Sequence, residues 1–302
     1  MDSISRAPLV VSTETAGLGN RLKSWVSAMR LGERACVRWA VTRNMPAEFA
    51  DLFVNDCAIA AVPAGATEYC SWRLAVLPED EPFLPAGFAT VGGGAHPLVR
   101  GLGKAWWSLT GRRSDRYRYM VFPKQHSRRS ARADARHIDL EYGRIPQHFR
   151  DAYLPLFRRI AVQPAIAARA EEWGARLDPD TIGVQIRTWR DDPRRYRKYH
   201  LPAVRRLAKL LDAAPAKSRF LVVSDADEVI GNLVARYGAD RVLHFPRATP
   251  RSDSFRAADG TREDLIDMLL LARTRTLYAS YLSTFGEVAW WLGGATADVS
   301  VF

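Results

Sequence analysis

Short apolar runs separated by longer amphipathic stretches dominate the second half of the chain. The run TIGVQIRTW, from Thr181, has closely spaced, partly β-branched apolar positions and predicts a buried strand. A polar, basic loop follows, and then YHLPAVRRLAKLLDAA, whose apolar residues recur at helical spacing. RFLVVSDADEVIGNLVARYGADRVLHF reads as strand, turn, helix and strand, with Gly238 where a helix C-cap favours glycine. REDLIDMLLLARTRTLYASYLSTFGEVAWWLGG predicts a helix, the strand TLYAS, a loop and another helix. Strands alternating with helices need crossover connections, so a parallel sheet covered on both faces is expected.

The first half opens in the same way. PLVV precedes the glycine-rich stretch TETAGLGNRLKSW, the helix RLKSWVSAMRLG and the strand ACVRWAV. Between the halves lies YLPLFRRIAVQPAIAARAEEWGARLDPD, where Pro164 suits a helix start and DPD suits a connector. The domain boundary is therefore placed near residue 178, with one domain over 1–178 and the other over 179–302. At 302 residues and 47% hydrophobic content, the chain can bury a core in each. The stretch from about 80 to 135, rich in Gly, Pro and Arg, carries no clear period and is expected to be partly mobile.

Charge changes this picture. The chain carries +11, clustered in GRRSDRYRYMVFPKQHSRRSARADAR and RDDPRRYRKYH. Such patches fit a nucleic acid, a diphosphate, an acidic glycan or a lipid head group, or else a solvated basic face. Cys36, Cys57 and Cys70 are odd in number and too irregularly spaced for a disulfide framework or a C-x-x-C metal site. No apolar run is long enough to span a bilayer, and MDSISRAPLV lacks the pattern of a signal peptide. A cytoplasmic protein is expected, with the inner face of the membrane as a further place of action.

Ligands of open α/β sheets bind at the carboxyl ends of the strands, so the candidate chemistry is sought in those loops. Arg187 ends the strand IGVQIR in a loop with Gln185, Arg190, Asp191 and Asp192. Its guanidinium suits a bidentate pair with phosphate, or a structural ion pair with Asp191 or Asp192. In SDADEV, Asp225 and Asp227 form a D-x-D that can hold a divalent cation. The preferred reading is a helix start, with Ser224 or Asp225 as cap and Glu228 completing a capping box. In SYLSTFGEV, Ser280, Ser283 and Thr284 offer hydroxyls at a helix N-terminus, which caps the helix and can also receive an anion. Asp267, among Leu265, Ile266, Met268 and Leu269, sits either at the edge of an apolar face, the preferred reading, or against a specific donor. Gly17 and Gly19 serve a tight turn, or let backbone N–H groups approach a ligand beside Asn20 and Arg21.

Taken in order, GLGNRL, FADLF, VQIRTWRDD, VVSDAD and LIDMLLLARTRTLYASYLSTFGEVA resemble the fucosyltransferase superfamily of nodulation and core α1,6-fucosyltransferases and protein O-fucosyltransferases. The resemblance implies an α/β protein of GT-B type, with two Rossmann-like domains facing a cleft. It implies an inverting, metal-independent enzyme that uses GDP-fucose as co-substrate and has no other cofactor. Arg187 then matches the arginine on the donor diphosphate, and Gln185 replaces a guanine-contacting His. Asp267 matches the acid that reads guanine, Ser283 and Thr284 the phosphate contacts, and Phe285 the aromatic beside them. Asp225 falls where the family keeps an acid. The resemblance leaves the base open among Asp191, Asp192 and Glu14. Thr188, Trp189 and Arg190 stand where the family continues its arginine motif with a basic residue and an acid. The implied acceptor is a glycan or a lipid-linked, anionic glycoconjugate, which the basic loops from Arg112 to Arg136 would suit. Open alternatives are another nucleotide sugar on the same fold, a metal-dependent D-x-D glycosyltransferase and a basic nucleic-acid-binding protein.

Overall fold

A computed structural model describes residues 9–83, 120–123, 136–139, 142, 145–281 and 283–302. Most of the stretch from 80 to 135, including the basic loops from Arg112, lies outside the described residues. By contacts the chain forms two units, Met1–Ala16, Asn20–Ala40 and Asp56–Arg159 in one, and Gly17–Gly19, Val41–Asn55 and Ile160–Phe302 in the other.

In the first unit, β1 (Leu9–Ser12) lies between β2 (Arg34–Val37) and β3 (Thr67–Tyr69), parallel to both. Helix α1 (Leu18–Leu31) begins three residues before the predicted RLKSW start. Ala28 and Leu31 of this helix pack with Val10, Tyr69 and Ala75 in one buried cluster. A second sheet, order β4-β6-β5, joins β4 (Leu74–Val76), β5 (Met120–Pro123) and β6 (Arg136–Asp139) in antiparallel pairs. The strand–helix alternation does not anticipate this sheet, since antiparallel partners need no helical crossover and three- or four-residue strands show almost no period. Helix α2 (Gln147–Phe157) buries Phe149, Tyr153 and Phe157 at successive turns, and the Tyr153 hydroxyl donates to the Ala75 carbonyl at 2.6 Å.

The second unit is built on a five-stranded parallel sheet in the order β11-β10-β7-β8-β9, so the parallel prediction holds here. The strands are β7 (Ile182–Ile186), β8 (Phe220–Ser224), β9 (Val242–Leu243), β10 (Thr276–Ala279) and β11 (Asp298–Val301). The last strand, DVSV, is not foreseen in the sequence reading; it is short and only half-buried at the sheet edge. β7 and β8 are buried at every position, which is why, Gln185 and Ser224 aside, they read as apolar runs. Helices α3 (Pro164–Gly174), α4 (Leu201–Ala213), α5 (Asp227–Tyr237), α6 (Ala258–Leu271) and α7 (Thr284–Leu292) accompany the strands. Ala203, Leu207 and Leu211 of α4 pack with Ile182, Val184, Phe220 and Val222 of the sheet. Pro164 opens α3, and Gly238 ends α5 at φ 89°, a left-handed conformation that disfavours side chains. From β7 the chain moves outward through β8 and β9, then returns to place β10 on the other side of β7. A reversal of this kind, at the carboxyl ends of β7 and β10, is where open α/β sheets bind their ligands.

Candidate functional site

Arg187 and Ser280 leave these two strands side by side. The Ser280 N–H donates to the Gln185 carbonyl at 3.0 Å, and the Arg187 N–H donates to Ser280 Oγ at 2.8 Å. The end of β7 is thereby pinned, while the Arg187 side chain remains 46% exposed. Its guanidinium meets Asp225 Oδ2 at 3.0 Å, and Asp225 Oδ1 accepts the Thr188 N–H at 2.8 Å. Asp225 thus orients Arg187.

The ion pair expected with Asp191 or Asp192 is not the one formed. Trp189 turns the chain at φ 57°, with the Asp192 N–H donating to the Trp189 carbonyl at 2.9 Å. Beyond this turn Asp192 caps the short helix Pro193–Arg195, accepting from the N–H groups of Arg194 and Arg195 at 3.1 Å each. Asp191 is 75% exposed and 3.8 Å from Arg190.

The preferred capping of α5 also fails. Its N-cap is Ala226, with no side-chain hydrogen bond; Ser224 Oγ instead accepts from the Ala226 N–H at 3.3 Å. Asp225 is drawn to the guanidinium and Thr188 N–H instead, and charge-assisted bonds of this kind are stronger than an ordinary cap. The other carboxylate of the D-x-D, Asp227, accepts from the Arg251 N–H at 2.8 Å and from its guanidinium at 3.2 Å. The two acids therefore serve separate arginines, and no group of three or more His, Cys, Asp or Glu is arranged to hold a metal ion among the described residues.

Asp267 is not at an edge but in the interior, with 0% exposure. Its Oδ2 lies 3.2 Å from Arg247 and 3.7 Å from Arg251, both of whose side chains are almost wholly buried. Oδ1 has no hydrogen-bond partner among the described residues, and neither has the buried Oε1 of Gln185. Burial pushes the Asp267 carboxyl up to about 7, against the pull of the two guanidinium groups. Arg247 is further held by Asp264 at 2.6 Å and by the Gly260 carbonyl at 2.8 Å, while Glu263 receives the N–H groups of Ala248 and Thr249. Sequence reasoning missed Arg247 and Arg251, which look like ordinary polar loop residues in FPRATPR. The available signal is the acid spacing at 263, 264 and 267 on one turn of a mostly apolar helix.

At the start of α7, Ser283 is the N-cap and its Oγ accepts the Gly286 N–H at 3.4 Å. Thr284 and Phe285 are half-buried beside it. Gly19 packs against this turn: a Cβ there would stand 2.7 Å from the Thr284 oxygen and 2.9 Å from the Phe285 nitrogen. Gly17 has nothing within 4 Å of the same position, so the two glycines do different work.

In the first unit, Asn20 is half-buried and Arg21 is 1% exposed. The Arg21 guanidinium donates to the carbonyls of Ala16 and Ala40 at 2.7 Å each and of Thr15 at 2.9 Å, over the Trp39 ring. Burial lowers its pKa to about 10, still far above neutrality. Glu14 accepts the N–H groups of Thr15 and Ala16 at 2.9 Å each. The loop is thus tied by an acid on its N–H groups and a guanidinium on its carbonyls.

His200 is a further residue that sequence reasoning passed over. It is 8% exposed at the end of a π-helical turn, Tyr196–His200, where such turns often mark functional sites. Burial lowers its pKa, while Asp225 and a hydrogen bond to the Arg187 backbone oppose the shift.

No protein-family model matches the chain, and no curated protein matches it. Among solved structures, fucosyltransferase NodZ from Bradyrhizobium is 18% identical at a TM-score of 0.50, over 93% of this chain and 91% of that one. NodZ α1,6-fucosyltransferase soaked with GDP-fucose is 19% identical at 0.49, over 94% and 92%. An apo form of POFUT1 is 12% identical at 0.43, over 100% and 99%. The chain therefore shares with the fucosyltransferase NodZ the GT-B-type α/β fold that the sequence resemblance implies.

Proposed function

We propose that the chain is an inverting glycosyltransferase that transfers a sugar, L-fucose first among the candidates, from a GDP-sugar to a hydroxyl of a glycan or glycoconjugate. The observation that carries this reading is Arg187, pinned by Ser280 and oriented by Asp225 at the reversal of strand order. A guanidinium held there can pair with a diphosphate and stabilise the charge that grows on it as the sugar leaves. The Ser283-capped start of α7 adds backbone N–H donors to the same task. Residues 179–302 would hold the nucleotide. Asp267 Oδ1 and Gln185 Oε1, buried acceptors without donors among the described residues, suit a base such as guanine that presents an N–H and an amino group.

Neutralisation by Arg187 makes a divalent cation unnecessary in this scheme, which accords with the engagement of both D-x-D carboxylates by arginines. The acceptor hydroxyl attacks the anomeric carbon from the face opposite the departing diphosphate, and a carboxylate takes its proton. Of the three candidates Asp191 is the most exposed, at 75%, and it is taken as the base in this scheme. Titration calorimetry with GDP, UDP and ADP tests the donor. GDP binding that survives chelation and is lost in Arg187→Ala is expected. Tighter UDP or ADP binding, or full turnover by Arg187→Ala, would sink the assignment.

A further inference from the structure

The basic run after Asp192 takes no part in the proposed chemistry. Between Pro193 and Leu211 there are seven exposed cations, Arg194, Arg195, Arg197, Lys198, Arg205, Arg206 and Lys209, and no acid. Only Arg195 is paired with a carboxylate among the described residues, Asp192 at 3.3 Å. The segment is helical from Pro193 to Ala213, through the π turn and into α4. Ala203, Leu207 and Leu211 take one side of α4 into the core. Lys198, Leu201, Arg205 and Lys209 recur at steps of three and four on the other side. Leu201 and Val204 are each 47% exposed, two of the five large apolar side chains exposed among the described residues.

We propose that this helical face, from Arg194 to Lys209, docks on an anionic lipid surface. Single exposed apolar side chains are ordinary on a protein surface, but Leu201 and Val204 stand among seven exposed cations, a combination that a bilayer interface takes up as a whole. Acidic head groups attract the cations, and shallow apolar side chains enter the boundary beneath them. With cations dominant and only two apolar anchors, binding is reversible and governed by salt. Nucleic acid would match the charge but would leave the two apolar side chains in water. One consequence rests on the glycosyltransferase reading: the loop of Arg187, which runs directly into this helix, would work beside lipid-linked acceptors.

The test is sedimentation of the full chain with vesicles of phosphatidylcholine alone or with one third phosphatidylglycerol. Binding to the anionic vesicles only, falling steeply with added salt, is expected. Arg194→Glu/Arg197→Glu/Lys198→Glu should lower the partition coefficient about a hundredfold or more, at roughly a fivefold loss for each cation removed from an anionic surface. A control of equal charge, Arg176→Glu/Lys217→Glu/Arg275→Glu, should keep most of the binding. Leu201→Asn should weaken binding severalfold without changing its salt dependence. Equal loss in the two triple variants, or no sedimentation of the wild type at low salt, overturns the proposal. So does single-stranded RNA bound through this face in preference to the vesicles. The vesicle assay needs no nucleotide, so calorimetry with GDP on the same variants reports on the donor site separately.

Discussion

Gly17 and Gly19 are equivalent to the eye in AGLGN, but the structure predicts opposite outcomes for Gly17→Ala and Gly19→Ala. At Gly19 the new methyl would stand 2.7 to 2.9 Å from three backbone atoms of Thr284 and Phe285, where ordinary contact begins at 3.4 Å. Backbone cannot rotate away as a side chain can, so the first turn of α7 must retreat by roughly 0.5–0.7 Å. Overpacking of this kind costs about 1–3 kcal/mol. Replacing a helical glycine returns at most about 1 kcal/mol, and less so near a helix start. A net loss of about 1–2 kcal/mol is therefore expected, together with weaker GDP binding if the α7 start holds the diphosphate. Gly17→Ala meets nothing and should stabilise the chain by up to about 1 kcal/mol, through the unfolded state. Urea denaturation followed by circular dichroism, with GDP calorimetry on both variants, makes the comparison. Indistinguishable stability and affinity in the two variants would refute the argument.

Asp267 supplies a pH signature. Its folded carboxyl is raised to about 7 from an unfolded value near 4, so between those values the folded chain holds a proton that the unfolded chain lacks. Stability contributed by this group is full below about pH 4 and declines as pH rises through 7; Asp267→Asn should flatten that decline in denaturation curves taken across the range, and an unchanged profile would count against it. Arg21→Lys keeps the charge but cannot serve three carbonyls from one planar fork. It should cost about 2–4 kcal/mol by urea titration, whereas a loss below about 0.5 kcal/mol would show that the loop holds without it.

Apart from the edge strand DVSV, the main strands and helices of the second unit were legible because each element's burial is written in its own period. IGVQI is buried throughout and reads as an uninterrupted strand, and Ala203, Leu207 and Leu211 mark the inner side of α4. Strand ends also directed attention to Arg187, Ser280 and Ser283, since chemistry gathers there in any such sheet. What the sequence could not determine was who meets whom. Asp225 rather than Asp191 or Asp192 pairs with Arg187, Asp267 is enclosed with Arg247 and Arg251, and Arg21 turns into its own loop. Only Gly19 of the two glycines lies against α7. Each pairing joins residues from separate turns or elements, and a periodic pattern records burial along one element at a time. The neighbours of a strand end follow from the order of strands in the sheet, which only the tertiary structure decides.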